Sequence, residues 1–382
     1  DRCAAGSSAW TRHTVQEHVT RIMTEYGVQA APAEIREFVQ IATALAMEDC
    51  FSILPPGAPA PEHVAHLTSL RVVQAETELR DLIAARIPQQ DLGYPDVRRA
   101  ARRRGLDAGQ ERAAAAVAST DPLVVVEGAA GAGKTTMLGV AIEVAARHGR
   151  ASRVVAPTLR AAQVAQEELG VPATSVAALV HAHGWRWNDD GVWTRLAPGD
   201  TDPDTGRPYR GPAEGARLTR GERVIVDEAG MLDQDTAIAL LTVTAEAGAT
   251  VALVGDRAQL AAVGRGGVLD MAAHLRGRTF DMAEVHRFTD PAYAEVTLRM
   301  RDGRDPGEVF DQLASLGLIR LHESGDEARE HIAQERQDGE AVTVSTNDEA
   351  RTINARIREE RVSQGVVDDT TTVYGSDGLP IG

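Results

Sequence analysis

The chain has 382 residues, 43% hydrophobic and 25% charged. That is enough for about two to three domains of roughly 150 residues, and it excludes general disorder and any reliance on metal or disulfide staples. Its two cysteines, Cys3 and Cys50, fit no ligand or disulfide spacing, and neither an apolar run of about 18 residues nor a signal peptide is present. The expectation is a cytoplasmic protein without membrane insertion, and a start at Asp1 is what an internal fragment would show. The formal charge of −16 excludes a general basic coat for nucleic acid but leaves room for a local positive channel.

Residues 1–105 read as a mainly helical accessory domain, either a plain helical bundle or a winged-helix-like module. Thr11–Tyr26 opens on a capping threonine and repeats Val15, Val19, Ile22 and Met23 at helical spacing; Pro32 starts a second helix to Met47. A Pro and Gly loop at 55–61 precedes a long helix at Leu67–Ile87, with Leu70, Val73, Leu79, Leu82 and Ile83 available for burial. The run Arg98, Arg99, Arg102, Arg103 and Arg104 is a local basic patch, a solvated face or a meeting point for phosphates, and Gly105 ends it.

From residue 106 the pattern becomes strand, turn and helix. Helix 106–118 leads to strands at Leu123–Val126, Val154–Val155, Val224–Val226 and Val251–Val254, separated by helices at 136–148, 159–169 and 234–247. The fold class is therefore α/β, a mostly parallel sheet with helices on both faces. Residues 185–222, with Trp185, Trp187 and Trp193, read as an insertion whose aromatics form a satellite core or stack bases. Further strands are expected at 318–322 and 341–346, then a helix at 348–360 and a hairpin joining 370–374 to 379–381. The domains are 1–105, a first α/β domain at 106–335, and the start of a further α/β domain at 336–382.

Gly128, Ala129, Ala130, Gly131, Ala132, Gly133, Lys134 and Thr135 spell a complete G-x-x-x-x-G-K-T phosphate loop between a buried strand and a helix that continues with Thr136. Small residues let backbone N–H groups face the phosphates of ATP, and the helix terminus adds favourable polarity. Lys134, the only lysine among many arginines, is a compact charge for the β and γ phosphates that a planar guanidinium would not reproduce. Thr135 can place its hydroxyl on Mg²⁺. Asp227 and Glu228 follow the strand Val224–Val226, so Asp227 is suited to Mg²⁺ and Glu228 to deprotonating the hydrolytic water.

The order of these motifs resembles superfamily-one 5'-to-3' DNA helicases, in particular the motor of large conjugative relaxase-helicases, over about residues 106–382. The resemblance implies an adenine-reading segment at Leu106–Gln110, with Gln110 as base contact, and strand-contact segments at Ala156–Arg160 and Thr174–Ser175. It further implies a sensor at Gly255–Leu260, with Gln259 linking γ phosphate to DNA, and an arginine finger at Arg287 within His286–Phe288. Ser363–Gly365 is not the later Gln-Gly motor motif, because it follows the preceding helix too closely. The implied function is an ATP- and Mg²⁺-dependent motor translocating on single-stranded DNA during plasmid transfer, with conjugative transfer machinery as partner. A chain holding only the start of the second motor domain would be weakly active. The alternative is an NTP-controlled DNA-binding or regulatory module that does not translocate, and a small-molecule kinase fits the Asp-Glu and sensor motifs less well.

Overall fold

The computed structural model describes residues 1–88, 93–259, 262, 264–282, 290–303, 305–336, 340–368, 373–374 and 380–381. They divide into two compact units, 1–302 and 303–382. In the first, six strands form one wholly parallel sheet in the spatial order Phe280–Met282, Leu123–Gly128, Thr250–Gly255, Arg223–Val226, Ser152–Ala156 and Ala173–Ser175. The expected α/β class with helices on both faces is what forms.

The valine runs explain it. Successive side chains of a strand face opposite ways, so a strand covered on both sides must be apolar at every position. Val125, Val155, Val224, Val226 and Leu253 enter one core with Leu240 and Leu241 of helix Gln234–Glu246 and with Leu79 and Ile83 of helix Leu70–Ala84. Val124, Val126, Ile225 and Val254 enter the other with Ala113 of helix Ala108–Val117 and with Met137 and Leu138 of helix Lys134–Arg147. The helical residues before 105 are thus part of the same unit as the sheet. Arg86 ties them in by donating to Leu241 O at 2.8 Å and to Thr244 Oγ1 at 2.6 Å at the C-terminal end of helix Gln234–Glu246. On helix Leu70–Ala84 the buried stripe is Val72, Leu79 and Ile83, whereas Leu70 and Val73, both expected inside, are exposed.

Helices Arg12–Glu25 and Pro32–Met47 form as expected, the first capped by Thr11. The insertion holds an antiparallel pair, Trp185–Trp187 with Trp193–Arg195. Trp185 and Trp193 pack against the first core, and Trp187, 43% exposed, stacks on Trp193 at 4.7 Å.

In the second unit, helices Gly325–Glu335 and Asn347–Ser363 pack together, with Arg356 paired to Glu330 at 2.9 Å, and Val373–Tyr374 pairs antiparallel with Pro380–Ile381. The strands expected at 318–322 and 341–346 do not form: Leu318, Leu321 and Val342 are exposed, and neither segment has a ladder partner among the described residues. A strand is stabilised only by pairing and burial, and local apolar pattern supplies neither. No helix of the described residues is long and apolar enough to cross a membrane.

Candidate functional site

All six strands point their C-terminal ends the same way, so the loops that follow them gather along one edge of the sheet. The strand Leu123–Gly128 runs into the glycine-rich loop, where Gly131 and Gly133 take φ of 80° and 76°. These values favour glycine, and a Cβ at Gly133 would also stand 2.4 Å from Gln110 Nε2. Helix Lys134–Arg147 starts at once, so its first N–H groups have no partners within the helix. Lys134, with a side chain 11% exposed, donates to Gly128 O at 3.1 Å and lies 3.9 Å from Glu228 Oε1.

Asp227 and Glu228 follow the strand Arg223–Val226, which is separated from the loop's own strand by Thr250–Gly255. Burial, followed by the neighbouring charge of Glu228, pushes the Asp227 carboxyl up to about 6, and Lys134 offsets only part of this. Glu228 sits in the left-handed region at φ 54°, one of two described non-glycine residues with positive φ. The tight turn has a cause nearby. A Cβ at Gly230 would lie 2.6 Å from Asp256 O, and one at Gly255 would lie 2.8 Å from Gly230 N. The acidic turn and the turn at 256–259 are therefore in backbone contact.

Asp256 is 2% exposed and receives Gln259 Nε2 at 3.2 Å, Ala258 N at 3.0 Å and the guanidinium of Arg301 at 2.9–3.1 Å. Burial alone would raise this carboxyl, but the bonds from Arg301 and Ala258 hold it below its ordinary value. Arg301 also reaches Glu127, the residue before Gly128, at 3.3 Å, and Glu127 takes Arg257 at 2.6 Å. Sequence reasoning missed Arg301: it lies at the end of helix Pro291–Asp302, with no motif to mark it.

Lys134, Thr135, Asp227, Glu228 and Gln259 come together around one cavity of about 530 Å³. Glu168 joins them unannounced from helix Leu159–Leu169, accepting the Thr135 hydroxyl at 2.8 Å. Gln110 lies beneath the loop, buried, with its Nε2 donating to Ala132 O at 2.8 Å and its Oε1 accepting Asp107 N at 3.0 Å. One end of its amide braces the loop and the other caps its own helix, and contact with a base would compete with those bonds. Arg287 falls outside the described residues. Thr158 and Ser175 cap helices Leu159–Leu169 and Val176–Ala182 at the C-terminal ends of neighbouring strands, accepting Ala161 N and Ala178 N at 3.1 Å.

A family model described as an AAA domain matches residues 105–324. A probable conjugal transfer protein TraA of Sinorhizobium fredii (strain NBRC 101917 / NGR234) is 25% identical over 280 residues, covering 70% of this chain and 22% of that protein. The chain thus spans about a fifth of that relative's length. The crystal structure of the Pif1 helicase from Candida albicans aligns with 70% of the chain and 57% of its own, at 17% identity and a TM-score of 0.42. An arterivirus nonstructural protein 10 helicase in complex with DNA aligns with 66% of the chain and 51% of its own, at 16% identity and a TM-score of 0.29.

Proposed function

The chain belongs to the AAA domain family, and from that premise we propose that it is the ATPase part of a DNA motor of the superfamily-one, 5'-to-3' kind found in conjugative relaxase-helicases. Residues 1–105 are read as its accessory region, 106–335 as the first motor domain and 336–382 as the start of a second. The observation that carries this reading is the convergence of Lys134, Thr135, Asp227, Glu228 and Gln259 on one cavity from separate loops.

The residues fit a magnesium nucleotide. Three carboxylates, Glu168, Asp227 and Glu228, line the cavity with one lysine, and the Asp227 carboxyl, raised first by burial and then by the charge of Glu228, would be held ionised by a bound cation. Mg²⁺, held by Thr135 and Asp227 among the protein's side chains, would neutralise phosphate charge. Lys134 binds the β and γ phosphates beside the N–H groups of its own helix terminus. Glu228 takes the proton of the attacking water. Gln259, which lines the cavity and donates to Asp256, would on this reading register whether the γ phosphate is present. The helix termini behind Thr158 and Ser175 lie at the C-terminal ends of neighbouring strands, and on the same reading they would hold the backbone of single-stranded DNA and loosen or tighten with the turn at 256–259.

ATP hydrolysis with and without single-stranded DNA tests the proposal. Lys134→Ala should abolish nucleotide binding in a folded protein, and Glu228→Gln should retain binding but lose turnover by 10²-fold or more, about the scale of one general base. Unchanged nucleotide affinity in Lys134→Ala would reject the site. A longer parent whose ATPase rate ignores single-stranded DNA, or which unwinds only in the 3'-to-5' sense, would reject the motor.

A further inference from the structure

Helix Arg98–Arg104 reads Arg-Arg-Ala-Ala-Arg-Arg-Arg, and it buries both alanines while exposing all five arginines. Ala100 sits in one apolar cluster with Val140 and Val144 of helix Lys134–Arg147, so the arginines stand out from the flank of the ATPase sheet. Two of them have acidic neighbours: Arg98 lies 3.8 Å from Glu111, and Arg103 pairs with Glu143, which also takes Arg147. Arg99 and Arg102 make no ion pair among the described residues, and Arg104 acts on Glu143 through its charge alone. Three arginines, Arg98, Arg103 and Arg147, thus share two glutamates, while Arg99 and Arg102 have no acidic partner among the described residues, on a chain whose formal charge is −16.

Helix stability does not explain this density. Cations are favourable in the last turn, where Arg102, Arg103 and Arg104 lie, but Arg98 and Arg99 occupy the first turn, where the helix dipole opposes them. Side chains this close repel one another, and Gly105, at φ 67°, ends the helix directly after them. The patch is apart from the nucleotide cavity. Glu143 is nine residues beyond Lys134 on the same helix, about 13 Å along its axis, and Arg104 reaches that helix at Gly139, five residues or about 7 Å beyond Lys134, and does not line the cavity.

We propose that this arginine helix is a second, sequence-independent contact for the phosphate backbone of DNA, separate from the strand path over Thr158 and Ser175. It rests on the DNA-binding part of the function proposed above. Exposed guanidinium groups are complementary in charge and hydrogen-bonding geometry to phosphates, and counterion release supplies the affinity.

Fluorescence anisotropy in a salt series tests it, with one arm using an oligodeoxythymidylate single strand and the other a blunt duplex. The variant R99Q/R102Q/R104Q should keep its thermal melt, bind at least one arm about ten-fold more weakly near 0.1 M salt, and lose about two units of log–log salt slope. R99K/R102K/R104K, which keeps the charge, should restore most of both. Equal affinity and slope in wild type and the glutamine variant would overturn this inference and leave the motor reading standing. Wild type that binds neither DNA would overturn both, while the nucleotide site would still be judged by Lys134→Ala. A loss seen on phosphatidylglycerol vesicles and absent on DNA would also overturn the inference.

Discussion

Arg301 and Asp256, 45 residues apart in the chain, meet in a two-pronged ion pair on the same carboxylate that holds Gln259. The pair joins the last turn of helix Pro291–Asp302 to the turn at 256–259, and its third contact, Glu127, joins both to the foot of the phosphate loop. Arg301→Ala would leave Asp256 buried with two weaker donors. Removing one partner of a fully buried pair costs about 3–5 kcal/mol; Arg301 is 28% exposed, so about 2 kcal/mol is expected in a denaturant melt. Arg301→Lys should recover less than half, since one ammonium cannot span both oxygens. A loss below about 0.5 kcal/mol would show that the pair does not hold the turn.

Glu228 gives a prediction in which stability and activity part. Its left-handed backbone costs an ordinary side chain about 1–3 kcal/mol, part of which glycine returns as greater freedom of the unfolded chain. Glu228→Gly should therefore raise the unfolding free energy by about 1 kcal/mol while removing the carboxylate, and Glu228→Gln should leave stability nearly unchanged. Two variants of equal stability would mean that the turn stores no strain. The backbone conformation would then carry no functional cost.

How much of this was legible depended on how local the cause was. The phosphate loop is eight consecutive residues whose glycines and lysine act within one turn, so the residues that form it could be named from the chain alone. Buried parallel strands were visible because apolar residues fill both faces. The three-residue strands Ala173–Ser175 and Phe280–Met282 are too short to show a period, and the pairings that make them are remote. The reverse error at 318–322 and 341–346 has the same root, an apolar pattern without a partner. Gln110 carried a readable second meaning, since Asp107 and Gln110 have the spacing of a capping box. The Glu127, Asp256 and Arg301 cluster spans 174 residues and leaves no spacing to read.

The brace under the loop can be tested through Gly133. Gly133→Ala adds a Cβ at positive φ and directs it at Gln110 Nε2, so the loop and its brace cannot both keep their positions. A destabilisation of about 1–3 kcal/mol is expected, with nucleotide affinity falling at least ten-fold. Gln110→Ala, which removes the obstacle, should make Gly133→Ala cheaper in a double-mutant cycle. Strict additivity would show that the two residues do not press on each other.

Asp227 should make stability depend on pH in a direction opposite to that of most carboxylates. Its folded value of about 6 lies above the 3.8 of an ordinary aspartate, so the native protein binds this proton more tightly than the unfolded chain does. The contribution is complete below about pH 4 and is lost as pH rises through about 6, because burial and Glu228 both oppose the ionised form. Asp227→Asn keeps an oxygen for the Glu228 N–H, which Asp227 Oδ1 accepts at 3.0 Å, but cannot ionise. In metal-free buffer the variant should therefore melt at nearly the wild-type temperature near pH 4, and above wild type once the pH passes about 6. If the proposed site holds magnesium nucleotide on the ionised Asp227 carboxylate, the effect runs the other way, and wild type should gain more from that ligand as pH rises across the same window. Melting temperatures of both proteins across this range, with and without magnesium nucleotide, separate the two effects. A gap between wild type and variant that stays constant with pH in metal-free buffer would show that Asp227 does not titrate in that window.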